Sequence, residues 1–156
     1  MIAAQGVCLF GIPRPAPWVM MTGSRTENWQ ELLAKAAQAA GHAHAPYSSL
    51  RVGAAILTSG GTVYSGCNIE NAAFGATLCA ERSALAAMVS TEGSDALIRA
   101  IAVWCSDKRP CYPCGICRQA LLPWCEKTAV LVVENADGSP ETLSFASLLP
   151  YPFTDS

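Results

Sequence analysis

Charge is in short supply in this 156-residue sequence: only 14% of positions are Asp, Glu, Lys or Arg, against about 25% in an average soluble domain. With so little charge to wet it, part of the surface is expected to be covered, and self-association is the simplest cover. What charge there is sums to −2. No basic stripe runs along the chain, which excludes the electrostatic grip that a nucleic acid polymer needs. Long apolar runs are missing as well. Pro13, Pro15 and Pro17 divide the one candidate stretch near the start, so no segment reaches the roughly 18 residues of a membrane helix. Residues 1–22 also lack a basic opening and an unbroken apolar centre, and they do not read as a secretion signal. Histidine is scarce too, with only His42 and His44. Both fall at the end of a predicted helix, where an imidazolium suits the dipole, and no metal role is expected of them. The expectation is a soluble, cytoplasmic protein, with no membrane partner, acting on a small neutral molecule.

Cysteine, in contrast, is plentiful, with 8 residues. In a reducing compartment clustered cysteines serve as metal ligands more often than as disulfides. Residues 1–24 read as an irregular extension, and residues 25–156 as one domain. Apolar positions Leu32, Leu33, Ala36, Ala37 and Ala40 recur at helical spacing over residues 27–40, with Gly41 as a stop. Residues 51–58 and 62–67 are β-rich and joined by Ser59, Gly60 and Gly61, which predicts a hairpin. A second helix is expected over 78–89 with Thr77 as its cap, then a buried strand over 99–105. A third helix is expected over 115–124, a strand over 129–133 and a turn at Asn135, Asp137 and Gly138. A last strand and a short helix reach Leu149. This order predicts a three-layer α/β/α sandwich around a mixed central sheet.

Two short runs sit at predicted helix starts: Cys79-Ala80-Glu81-Arg82 and Pro113-Cys114-Gly115-Ile116-Cys117-Arg118-Gln119. A helix N-terminus lowers a cysteine pKa and favours the metal-binding thiolate. Cys114 and Cys117, three apart, point from one face and can bite one ion. Cys79 supplies a third ligand, which leaves the fourth tetrahedral position to water, as in a catalytic zinc site. Glu81 reaches that water without binding the metal. Two other readings stay open on spacing alone: a closed four-cysteine site that includes Cys111, and an iron–sulfur run that wants a cysteine where Leu121 stands. Cys8, Cys67, Cys105 and Cys125 read as small buried hydrophobes.

Taken together, Val52-Gly53-Ala54-Ala55, Gly66-Cys67-Asn68-Ile69-Glu70-Asn71-Ala72, the Cys79 and Cys114 runs, and Leu148-Leu149-Pro150 with Phe153 resemble the small homotetrameric zinc-dependent cytidine deaminases. The likeness spans about residues 29–153, and five motifs in order make it specific. The resemblance implies a catalytic domain over 25–156, one zinc per chain, and hydrolysis of cytidine or 2′-deoxycytidine to the uracil nucleoside and ammonia in pyrimidine salvage. The metal activates water for attack at C4 of the base, while Glu81 protonates N3 and then carries a proton to the leaving amine. The resemblance further assigns Asn68 and Glu70 to the ribose hydroxyls and Phe153 to cover the base from a neighbouring subunit. It gives Arg82 the task of offsetting the negative charge of three thiolates on zinc. Two positions depart from the pattern. Leu50 stands where a phenylalanine is common, and Phe74 where a tyrosine is common. A deaminase of the same fold acting on another aminated heterocycle is the alternative, and a non-catalytic zinc module is a third reading that Glu81 argues against.

Overall fold

The computed structural model describes residues 28–107 and 110–154, so the expectation of an irregular extension over 1–24 lies outside the described residues, as does Cys8. Helix α1 spans Trp29–Ala40. It starts two residues later than predicted because the Asn28 side chain accepts from the Glu31 amide at 3.2 Å and caps it. Strands β1 (Val52–Thr58) and β2 (Val63–Cys67) form the expected hairpin, and Gly61 supplies the positive φ of its turn. Helix α2 (Ala80–Glu92) leads to β3 (Ile98–Cys105), and α3 (Gly115–Leu121) leads to β4 (Cys125–Glu134) and β5 (Pro140–Ser144). A 3₁₀ turn over Phe145–Leu148 follows.

Further boundaries differ from the sequence reading for identifiable reasons. Thr77 is not the cap of α2: Cys79 is, and the Thr77 hydroxyl instead accepts from the Asn71 amide at 3.1 Å. The third helix stops at Leu121 and tightens into a 3₁₀ turn over Leu122–Trp124, because Pro123 offers no amide hydrogen and its ring clashes with the carbonyl four residues back. Strand β4 begins at Cys125, four residues earlier than expected, because Cys125 pairs with Ile98 ahead of the register shift in β3.

The sheet has the order β2-β1-β3-β4-β5, with only β3 and β4 parallel. It is mixed, as expected. Both faces are covered. Ala54, Ile56, Ile101, Val103, Leu131 and Val133 join a core with Ala80, Ala84, Met88, Cys117 and Leu121 of α2 and α3. The alternate residues Ala55, Ala100, Ala102 and Val132 pack with Leu32, Leu33 and Ala36 of α1. That period of two along each strand places α1 on one face and α2 with α3 on the other, which is the three-layer sandwich. The layers approach closely where glycine permits: a Cβ on Gly53 would lie 1.9 Å from the Ala36 carbonyl oxygen of α1. On the opposite face, a Cβ on Gly66 would lie 2.4 Å from the Ala84 amide nitrogen and 2.8 Å from the Ala80 carbonyl oxygen of α2.

Candidate metal centre and active site

Strands β2 and β3 both pair antiparallel with β1 and therefore run the same way. Helices α2 and α3 follow them, so both helix N-termini open beyond the carboxyl ends of these strands, where open α/β sheets place their sites. Each helix is capped by a cysteine, Cys79 or Cys114, with no side-chain capping bond. Cys79 is fixed by the residue before it: Leu78 and Ile69 exchange amide–carbonyl bonds of 3.0 and 2.9 Å, which draws the chain back to the end of β2. Cys114 is fixed from within its own helix, where Arg118 Nε donates to the Pro113 carbonyl at 2.7 Å.

These anchors bring three sulfurs together. The Sγ atoms of Cys79 and Cys114 lie 3.9 Å apart, those of Cys114 and Cys117 3.6 Å, and all three fall within 4.8 Å of one another. Among the described residues this is the one cluster of three or more Cys, His, Asp or Glu side chains with metal-ligand geometry. Cys111 stands outside it. Its sulfur does not join the three that fall within 4.8 Å of one another, so the closed four-cysteine reading lacks its fourth ligand; burial first, and then Cys105 beside it, push the Cys111 thiol up to about 12. Leu121 is packed in the core, which leaves the iron–sulfur run incomplete. Cys105 is buried and donates to Asp107 at 2.9 Å. Cys67 and Cys125 are half-buried rather than buried, and burial raises the Cys125 thiol to about 12.

The electrostatics favour negative charge on the Cys79 sulfur. A hydrogen bond from Cys117 draws the Cys79 thiol down to about 5 against the cost of its burial, and Arg82 draws it further. Cys117 is raised in the same exchange, because it holds the shared proton. Burial works against the charge on Arg82, but bonding to the thiols of Cys79 and Cys117 outweighs it and raises the guanidinium pKa. Arg82 Nη2 donates to the Thr77 carbonyl at 3.0 Å, while its buried Nε has no partner. An unpartnered cationic donor beside three soft sulfurs suits a tris-thiolate zinc centre. Glu81, two positions after Cys79, is only 5% exposed. Burial, with the Cys79 charge assisting, raises its carboxyl pKa, which suits a group that must hold a proton near neutral pH.

The residues expected on the substrate side are tied into one another. Asn68 Oδ1 accepts from the Val52 amide at 2.8 Å and its Nδ2 donates to the Leu50 carbonyl at 2.9 Å. Glu70 Oε2 accepts from the amides of Tyr47 and Ser48 at 2.9 and 3.2 Å, and Oε1 accepts from the Ser48 hydroxyl. Both side chains thus brace the loop that carries Leu50, a task their spacing alone did not disclose. His44 also lies in this bracing, through its backbone bridge to Ile69, rather than at a helix end. Phe74, in a 3₁₀ turn, is 84% exposed, and Phe153 is 80% exposed. The tail that bears Phe153 is held by residues left unassigned in the sequence reading. Gln119 Nε2 donates to the Phe153 carbonyl at 2.8 Å and its Oε1 accepts from the Phe153 amide at 3.2 Å. Arg118 Nη1 donates to the Leu148 carbonyl at 2.8 Å. Their signal was their place in the Cys114 run.

The family model described as the cytidine and deoxycytidylate deaminase zinc-binding region matches residues 26–133. A cytidine deaminase of Halalkalibacterium halodurans is 42% identical over 125 residues, covering 80% of this chain and 93% of the relative. The crystal structure of the cytidine deaminase from Burkholderia pseudomallei is 39% identical, with a TM-score of 0.71 over 79% of this chain and 97% of that one. That of the Mycobacterium tuberculosis cytidine deaminase is 36% identical, with a TM-score of 0.72 over 82% of this chain and 98% of that one. Three sulfurs at two helix starts, a buried glutamate beside them and these likenesses agree, and the chain belongs to the cytidine and deoxycytidylate deaminase family.

Proposed function

We propose that this chain is a zinc-dependent hydrolase that converts cytidine or 2′-deoxycytidine and water to uridine or 2′-deoxyuridine and ammonia. The observation that carries the reading is the convergence of the Cys79, Cys114 and Cys117 sulfurs on one point with the buried Glu81 two positions from Cys79. One zinc per chain, held by those three cysteines, supplies Lewis-acid activation of a water molecule when bound. Glu81 takes a proton from the attacking water and places it on N3 of the base, then takes the second from the new C4 hydroxyl and delivers it to the exocyclic amine, leaving a C4 carbonyl. The C4–O bond forms, the C4–N bond breaks, and the nitrogen leaves as ammonia. Arg82 holds the Cys79 side of the ligand set by its charge. The Glu70 carboxylate and the Asn68 amide keep unused lone pairs and one unused N–H for sugar hydroxyls. The side chain of Leu50 gives the base an apolar wall.

Assembly and setting belong to the same reading. Phe74, Ile116, Tyr151 and Phe153 are large apolar side chains left exposed in the single chain, and a homotetramer covers them, with Phe153 reaching a neighbour's base. Sedimentation of the purified protein reads this directly, since an active monomer contradicts it. The proposed role is pyrimidine salvage in the cytoplasm. Ammonia release from cytidine, deoxycytidine, cytosine, adenosine and blasticidin S tests the substrate class, with metal content measured on the same sample. Turnover of the two cytosine nucleosides with one zinc per chain is expected. Leu50 favours one second reading, a pocket shaped for a different aminated heterocycle, and turnover of blasticidin S alone would establish it.

A further inference from the structure

We infer that Ser48 is a positioning residue for sugar recognition, aiming the Glu70 carboxylate at the nucleoside. The Ser48 hydroxyl donates to Glu70 Oε1 and accepts from the Leu50 amide at 3.0 Å, so one oxygen joins the acidic side chain to the loop beside the base. The other carboxylate oxygen is already committed, because Oε2 receives the amides of Tyr47 and Ser48. An ionised carboxylate only accepts. With Oε2 doubly occupied, the remaining capacity lies on Oε1, the oxygen whose direction Ser48 sets. Ser49 follows at φ 60°, in the left-handed region that non-glycine residues seldom adopt. The backbone on either side of this turn is held by side chains, Ser48 by its hydroxyl on Glu70 and Leu50 by its amide on Ser48 and its carbonyl on Asn68. The ring is closed from behind, since the Glu70 amide donates to the His44 carbonyl at 2.8 Å and Asn68 holds the Leu50 carbonyl. The same hydroxyl, followed by the Tyr47 amide, keeps the Glu70 carboxyl below the usual carboxylate range, so it is an ionised acceptor across the working pH.

This inference rests on the proposed nucleoside deaminase activity, and its test separates the two. Uridine and 2′,3′-dideoxyuridine, which differ only in the sugar hydroxyls, are measured as competitive inhibitors of cytidine deamination. Loss of a charge-assisted hydrogen bond that orients an acceptor is worth roughly tenfold in affinity. Ser48→Ala is therefore expected to weaken uridine about tenfold and leave dideoxyuridine unchanged. Ser48→Thr, which keeps the hydroxyl, restores the wild-type ratio, and Ser48→Ala adds nothing in a Glu70→Gln background. If Ser48→Ala does not fold, Ser48→Cys, with its weak donor, supplies the same ratio. Equal weakening of both inhibitors, or additivity with Glu70→Gln, would show a merely structural serine and overturn the inference while the activity stands. A wild type that turns over no cytosine nucleoside overturns both.

Discussion

Replacing Gly66 by alanine tests whether the fold places the catalytic groups as described. The added Cβ on β2 would lie 2.4 Å from the Ala84 amide nitrogen, 2.7 Å from the Ser83 Cβ and 2.8 Å from the Ala80 carbonyl oxygen, all belonging to α2. Two of the three are helix backbone and cannot swing aside as a side chain would. Ordinary contact begins near 3.4 Å, so the start of α2 must retreat by about 1 Å. Overpacking of this size costs about 1–3 kcal/mol, which in a chain of this length lowers the melting midpoint by roughly 2–12 °C. The larger effect is on chemistry. Ala80 lies between Cys79 and Glu81, and a displacement of about 1 Å in a catalytic constellation slows turnover by on the order of a hundredfold. Thermal unfolding followed by circular dichroism and steady-state ammonia release measure the two effects on one preparation. Gly75→Ala is the control, since nothing lies within 4 Å of its added carbon. A Gly66→Ala enzyme that melts and turns over like the wild type would refute the close docking of α2 on β2, and with it the placement of Glu81.

Glu81→Gln keeps the shape and removes the proton carrier, so kcat should fall by about 10²–10⁴ while bound zinc, measured by atomic absorption, stays at one per chain. Undiminished turnover would sink the proton-transfer role. Cys117→Ala should lose metal and activity together, because Cys114 and Cys117 share one ion; a variant that keeps stoichiometric zinc contradicts the ligand set. Leu50→Phe adds a ring face worth about 1–3 kcal/mol against a base. On cytidine it should lower the Michaelis constant roughly ten- to a hundredfold with kcat little changed, as for a contact equal in ground and transition states. A clear rise would point to a pocket built for a different ring.

The sandwich and the cluster of three cysteines were legible because their signals are local. Near-continuous apolar runs announce the strands buried on both faces, and a cysteine before an alanine-rich helix announces its thiol. Several of the places where the reading failed are those where a side chain's partner lies outside the element that carries it. Thr77 looked like a cap because hydroxyls commonly cap, yet its oxygen serves Asn71 and the cap falls to a cysteine. Asn68 and Glu70 were legible as polar groups of matched spacing, but their bonds to residues 47–52 depend on how the loop after α1 folds back. Gln119 gave no hint of its pairing with Phe153, 34 positions away. The early stop of α3 follows from Pro123, whose missing amide and bulky ring end the helical ladder ahead of the expected residue 124.

The division of the ligand set between two crossover units has a consequence for how the chain reaches its fold. Cys79 and Cys114 are separated by 35 positions, so an ion that joins them closes a chain loop of that length. On the loop-entropy scale used for disulfides, such a closure is worth roughly 4 kcal/mol against the unfolded chain. In the proposed reading the metal is a removable cross-link as well as a reagent. A chelator that strips the proposed metal withdraws both, and the helix starts at Cys79 and Cys114 lose the tie between them.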